Sequence, residues 1–223
     1  MSQHALQARL SEGLDELDLR LDEQQTTQLL SYLDLLARWN KVYNLTAVRD
    51  PVEMLSHHLL DSLAVIKPLS RHTQGRPIRL LDVGSGGGLP GVVIAICCRE
   101  IEVTCVDAVA KKTSFIQQAA GSLSLRNLHS LHARVETVSD KFDVVASRAF
   151  ASLADFTQWS RGALEEEGVW MAMKGRHPED ELAQLPSDIT VFHVEQLKVP
   201  HLDAERCIIW LRQSVSGASD WQG

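Results

Sequence analysis

Between the apolar runs Ile78–Leu81 and Val92–Ile96 the chain reads Asp82-Val83-Gly84-Ser85-Gly86-Gly87-Gly88-Leu89-Pro90-Gly91. Glycines crowded where a strand hands over to a helix let the backbone close on a ligand, and a positive φ costs glycine nothing. Pro90 suits the first turn of the following helix, where a missing N–H does no harm. A second acid, Asp107, ends the β-branched run Glu102-Val103-Thr104-Cys105-Val106, about 20 residues beyond the glycines, the spacing of a ribose-binding carboxylate. That carboxylate would accept hydrogen bonds from both ribose hydroxyls; its alternative employment is to cap a helix beginning near Val109.

The elements that must position these residues follow from periodicity. Leu29, Leu30, Leu33, Leu36 and Ala37 recur at helical spacing from Gln24 to Trp39. Asp50-Pro51-Val52-Glu53 offers an N-cap, a proline at the first helical position and a glutamate for reciprocal capping ahead of Met54, Leu55, Leu59, Leu63 and Ile66. A polar stretch around Arg71–Pro77 then leads to strands near 78–83, 102–106, 127–132, 142–146 and 168–173. Helices are expected near 89–99, 109–121, 152–163 and 177–184. Runs at 189–199 and 205–212 read as a terminal hairpin. Alternating βα units imply a mostly parallel sheet covered on both faces. The division is a helical extension over 1–76, an α/β core over 77–212 and a disordered tail over 213–223, all in one compact domain.

The chain has 223 residues, 44% hydrophobic and 23% charged, ordinary for a globular protein in solution. No apolar stretch approaches the ~20 residues of a membrane span and the N-terminus is no signal peptide, so a cytoplasmic location without membrane partners is expected. Cys97, Cys98, Cys105 and Cys207 lack C-x-x-C spacing and read as reduced core residues. A net charge of -7 argues against indiscriminate nucleic-acid binding, yet the charges are segregated. Between Asp61 and Asp82 there is no acid, only Lys67, Arg71, Arg76 and Arg79, and between Asp107 and Glu136 there are Lys111, Lys112, Arg126 and Arg134. Such a distribution allows one basic face, or merely scattered solvated cations.

Read from Gly86, the turn fits the dinucleotide pattern G-x-G-x-x-G of an NAD(P)-dependent oxidoreductase; no Gly-Lys-Ser/Thr follows, which excludes a P-loop. Read from Asp82 it is acid-x-Gly-x-Gly-x-Gly, and resembles the first motif of the class I S-adenosylmethionine-dependent methyltransferases. That resemblance implies an α/β, Rossmann-like fold with a mostly parallel seven-stranded sheet and S-adenosyl-L-methionine as cofactor. There the turn holds the methionine end of a cofactor with no pyrophosphate and a cationic sulfonium, so a strand-end carboxylate is compatible.

Further stretches resemble the small-subunit ribosomal RNA methyltransferase G family, also called glucose-inhibited division protein B. They are Trp39-Asn40-Lys41-Val42-Tyr43-Asn44-Leu45-Thr46, His58-Leu59-Leu60-Asp61-Ser62, the glycine turn, Lys111-Lys112 with Phe115, Arg134-Val135-Glu136, Ser147-Arg148-Ala149-Phe150 and Met173-Lys174-Gly175. The resemblance implies methylation of guanosine N7 in the 530 loop of 16S ribosomal RNA, on naked RNA or the small subunit; a monomer is expected. It also implies cofactor contacts from Gly84, Leu89, Val135, Glu136 and Arg148, to which the glycine pattern adds Gly86 and the spacing adds Asp107.

Guanine N7 presents a lone pair and no proton, so the reaction needs alignment rather than a general base, and no catalytic acid or base is nominated. The Asn/Asp-Pro-Pro-aromatic signature of exocyclic amine methylation is missing where Ser147–Phe150 stands. Arg38, Lys41, Asn44, Lys111, Lys112, Lys174 and Arg176 are candidates to grip RNA. Trp39 and Tyr43 fit either a base stack or, more simply, the core. His57, His58 and Asp61 invite a metal reading, but adjacent histidines point apart and no metal is expected. A small-molecule or protein methyltransferase remains the alternative within the same chemistry.

Overall fold

Strand β1 (Arg79–Val83) is buried from Leu80 onward, as a strand in the middle of a two-faced sheet must be. It pairs in parallel with β2 (Glu102–Asp107) on one side and β4 (Phe142–Arg148) on the other. Together with β3 (Leu128–His132), β5 (Leu164–Lys174), β6 (Ile189–Leu197) and β7 (Arg206–Gln213), the order is β3-β2-β1-β4-β5-β7-β6. Only β7 runs antiparallel to its neighbours, pairing with β5 along Trp170–Lys174 on one side and with β6 on the other. These relationships come from a computed structural model that describes residues 3–214. Of the tail expected to be disordered, Val215 onward lies outside the described residues.

Alternation sorts side chains to two cores. In β7, Ile208 and Trp210 face one core while Cys207, Ile209 and Leu211 face the other. In β4 the alternation slips: Phe142 and Val145 share a face, as do Val144 and Ala146, and the register shift at Phe142/Val144 accounts for it.

The larger core lies under most of the helices. It joins Leu10 and Leu14 of α1 (Gln3–Glu16) and Leu29, Tyr32, Leu33 and Leu36 of α2 (Glu23–Tyr43) to Val92–Ile96 of α6 (Gly91–Cys97) and Phe115 and Ile116 of α7 (Ala110–Ser122). Between α2 and β1 the chain passes through α3 (Pro51–Met54), a π-helical turn over Leu55–Leu60, α4 (Asp61–Leu63) and α5 (Ile66–Thr73), all contributing to that core. The second core is covered by α8 (Leu153–Ser160), with Leu153 and Phe156 inward, and α9 (Glu179–Ala183) lies near it.

Local expectations need adjustment at several places. Asp50 caps α3 through the Val52 and Glu53 amides, but the reciprocal capping box forms instead at Asp22 and Gln25, which bond each other's backbone at 2.7 and 3.0 Å. The first three residues of the expected polar linker at Arg71–Pro77 are helical, α5 running to Thr73. Strands β2 and β4 run one and two residues further than periodicity suggested, so Asp107 and Arg148 are their last residues. Of the segregated cations that would allow a basic face, Lys67 pairs with Asp18, Arg71 with Glu195, and Arg79 approaches Asp140 at 3.9 Å.

Candidate active site

β1 and β4 leave the sheet at its switch point, where neighbouring connections diverge and open a crevice beyond the strand ends. The glycine turn fills the β1 side of that crevice. Gly84, Gly86 and Gly88 have φ of +65°, +57° and +82°, a region that penalises any side chain. Gly84 and Ser85 amides bond the Val106 carbonyl of β2, and those of Gly88 and Leu89 turn back to the Ser85 carbonyl. Gly86 N–H donates to Asp107 Oδ2 at 3.1 Å. Of the amides from Gly84 to Leu89, that of Gly87 alone has no partner among the described residues.

On the β4 side, Ala149 has φ +52°, which turns the chain sharply after Arg148. The Phe150 ring then occupies the space above Gly84: a Cβ on Gly84 would meet Phe150 Cδ2 at 2.4 Å. Two cavities flank this point and share Gly84 and Ala149. One, of about 460 Å³, is lined by Gly86, Gly87, Leu89, His58, Arg148 and Lys174 among others. The other, of about 340 Å³, is lined by Asp107, Lys112, Val135, Glu136, Phe150 and Trp159 among others.

The expected cofactor residues therefore gather at one crevice but not in one pocket. Asp107 is 6% exposed; its Oδ1 accepts from Val109 N–H and its Oδ2 from Gly86 and Lys112, at 2.9, 3.1 and 3.3 Å. Both readings of this acid have structural content: it organises the entry to α7 and faces the smaller cavity. Glu136 stays exposed at its rim while Val135 is buried. Asp82 is not in either cavity. It lies beneath the turn, fully buried, accepting from Gly91 N–H at 2.9 Å, and burial pushes its carboxyl up to about 7. Gly91 is needed there, since its Cβ would meet Cys105 Sγ at 2.4 Å and Asp82 Oδ2 at 2.8 Å.

Arg148 lines the larger cavity, with its Nη1 donating to Asp61 Oδ2 at 2.9 Å and the His57 carbonyl at 3.1 Å. Asp61 Oδ1 accepts from Arg206 Nε at 2.8 Å, so one buried carboxylate orients two guanidinium groups on the cavity wall. His58 presents its Nε2 to Thr46 Oγ1 at 2.7 Å, and burial, reinforced by Arg148, lowers its imidazole to about 4, leaving it neutral at pH 7.

The RNA candidates scatter. Lys112 is spent on Asp107, and Lys174 on Glu181 and the Ala151 carbonyl. Arg38 pairs with Asp34 along α2, and Asn44 accepts from Arg49 at 3.0 Å. Lys111 is exposed, and it, Arg38 and Asn44 line neither cavity. Trp39 packs edge-on against Phe115 at 5.4 Å and against half-exposed Tyr43 at 4.8 Å, joining core to surface. Periodicity gave no signal for Arg206 or Glu181, which only the pairing with Asp61 and Lys174 marks, whereas Thr46 ends the stretch Trp39–Thr46 already singled out and meets His58.

The family model for rRNA small subunit methyltransferase G matches residues 25–209. The chain belongs to that family. A member of it is a methyltransferase of small-subunit ribosomal RNA. Family relatives called ribosomal RNA small subunit methyltransferase G include one from Acidovorax ebreus, 66% identical over 220 residues, covering 95% of this chain and 97% of its own. Another, from Polaromonas naphthalenivorans, is 64% identical over 211 residues, with 93% and 96% covered. Among solved structures, a Burkholderia thailandensis 1,6-didemethyltoxoflavin-N1-methyltransferase matches with a TM-score of 0.57 at 16% identity, over 82% of this chain and 89% of that one. TrmN from Thermus thermophilus matches at 0.55 and 18%, over 71% and 53%. These two share the methyltransferase G family member's fold.

Proposed function

We propose that this methyltransferase binds S-adenosyl-L-methionine across the glycine turn and transfers its methyl group to N7 of a guanosine in the 530 loop of 16S ribosomal RNA. The observation that carries the reading is the meeting of two cavities at Gly84 and Ala149, one walled by Asp107, Val135 and Glu136, the other by Gly86, Gly87, Leu89 and Arg148. A nucleoside joined to an amino-acid chain fits that division, and the turn leaves open space over Gly86, where a Cβ would meet nothing nearer than the Gly84 oxygen at 3.9 Å. When bound, the cofactor supplies an electrophilic methyl.

Each remaining contribution belongs to the chain. Asp107 meets the ribose, and the stretch at Val135 and Glu136 meets the adenine edge with an amide and a carboxylate. Gly87 offers its free N–H at the larger cavity. Arg148, held by Asp61, orients the amino-acid end without swinging away. Neutral His58 leaves the cavity without an extra cation, and no side chain there has to take a proton, because N7 carries none. Rate acceleration comes from holding the purine in line with the methyl and excluding water. Lys111, with Arg38, Asn44, Lys112 and Lys174 around the crevice, contributes to RNA contact. The reading places a monomer in the cytoplasm, acting on 16S RNA or the small subunit.

The donors at the α6 entrance weigh against a dinucleotide. A pyrophosphate needs free amides there, whereas Gly88, Leu89, Gly91 and Val92 all have internal partners and a carboxylate lies underneath. The deciding experiment incubates the protein with labelled S-adenosyl-L-methionine and small subunits from a strain lacking the modification. Label at guanosine N7 is the expected result; transfer only to small molecules or protein, or none, overturns the proposal.

A further inference from the structure

We propose that Tyr32 is a positioning residue for methyl transfer: from helix α2 its hydroxyl holds the Gly87 carbonyl and so fixes the shape of the glycine turn. The inference rests on the reading that this turn receives S-adenosyl-L-methionine. Tyr32 is fully buried and its hydroxyl donates to Gly87 oxygen at 2.5 Å, across 55 residues of chain. Its ring lies 6.3 Å from that of Phe115, so the side chain is wedged between α2 and α7 with one polar atom aimed at the turn. One helical turn further along α2, Leu36 Cδ1 comes within 2.9 Å of where a Gly87 Cβ would stand, closing the turn from the same side.

Such a hold matters because glycines are loose. A run with three positive-φ glycines loses much conformational entropy on ordering, and within the turn the Gly87–Gly88 peptide is anchored at its N–H, where Gly88 donates to the Ser85 carbonyl. The Tyr32 hydroxyl holds the oxygen of that same peptide from outside, so both ends of the Gly87–Gly88 unit are fixed where Gly87 lines the larger cavity. The same helix runs on into the segment whose Leu45, Thr46 and Val48 line that cavity, so α2 touches the cofactor turn and the substrate side together. A buried tyrosine needs some partner in any case. A purely structural bond of that kind predicts lost stability alone, whereas positioning predicts lost cofactor affinity.

Tyr32→Phe removes one oxygen and keeps the ring. Calorimetry with S-adenosylhomocysteine and steady-state kinetics on small subunits are run beside Gln25→Met, which deletes α2 bonds to the Ile96 and Cys97 carbonyls, away from the turn. Tyr32→Phe should raise Kd and the cofactor KM about tenfold, the worth of one hydrogen bond, while kcat at saturation falls far less. Gln25→Met should lower Tm comparably with Kd unchanged. An unchanged Kd in Tyr32→Phe, or an equal rise in Gln25→Met, overturns the inference while wild-type binding leaves the reading of the turn intact. No binding by wild type overturns both. Should Tyr32→Phe not fold, hydrogen exchange on wild type decides: S-adenosylhomocysteine should slow exchange over 29–36 together with 84–92, and protection confined to 84–92 overturns the inference.

Discussion

Arg148, at the end of β4, is tied to Asp61 of α4 by a 2.9 Å hydrogen-bonded ion pair, with the carboxylate 4% and the guanidinium 20% exposed. Because Asp61 also holds Arg206, it is the shared anion of two cations. Asp61→Ala strands both and should cost about 3–5 kcal/mol in urea unfolding. Arg148→Ala leaves Asp61 paired with Arg206 and should cost less, while weakening S-adenosylhomocysteine binding. An Asp61→Ala protein as stable as Arg148→Ala would contradict this arrangement.

Gly84 and Gly86 both have positive φ, but their surroundings differ. A Cβ on Gly84 would collide with Phe150, whereas on Gly86 it meets nothing nearer than Gly84 oxygen at 3.9 Å. Gly86→Ala should therefore show little more than the left-handed backbone penalty, about 1–2 kcal/mol. Gly84→Ala must also displace Phe150, which lines the smaller cavity, and should reduce S-adenosylhomocysteine affinity more than tenfold. Equal affinities for the two variants, measured by calorimetry, would show that Phe150 does not shape the site.

Lys111 and Lys112 are adjacent and differ in employment. Lys112 pairs with Asp107, while Lys111 has no ion-pair partner among the described residues. Lys111→Ala should lower the salt dependence of RNA binding by about one unit of slope. Lys112→Ala should instead weaken cofactor binding with a smaller change in that slope. Filter binding across salt concentrations, with calorimetry for the cofactor, tests both; interchanged effects would refute the assignment.

Two buried groups titrate in opposition. Burial raises Asp82 from 3.8 to about 7, so between these values the folded chain holds more protons than the unfolded one and this contribution grows as pH falls. Burial, helped by Arg148, lowers His58 from 6.5 to about 4, so across that window the folded chain holds fewer protons and stability is lost as pH falls. Their slopes offset each other between about 4 and 6.5. Asp82→Asn leaves His58 uncompensated: relative to wild type, the variant should lose about 1.4 kcal/mol per pH unit on acidification below 6.5. Urea midpoints at several pH values give the comparison, and parallel profiles would mean that Asp82 keeps no proton.

The turn itself was legible in the sequence because its requirements are local. Glycines at 84, 86 and 88 fall at the positive-φ positions, and Asp107 stands where the next strand ends. The alternating βα pattern and the final hairpin were legible for the same reason, since periods of 3.6 and 2 are written in consecutive residues. Where the local signal was ambiguous it misled: Asp50-Pro51-Val52-Glu53 has a capping-box spelling, yet the reciprocal bond forms at Asp22 and Gln25.

Charge was the least legible property. Lys174 and Lys112 read as free cations, and the structure spends them on Glu181 and Asp107, while Asp61, part of an apparent metal cluster, serves Arg148 and Arg206. The sequence by itself determined the order of strands and helices, the bare turn and its acids, because backbone sterics and apolar periodicity act over a few residues. Tertiary structure alone decided which cations are spent, how Tyr32 reaches Gly87 and that two cavities meet at Gly84. Those contacts join residues up to 145 positions apart, and only the packing of helices on the sheet brings them within reach.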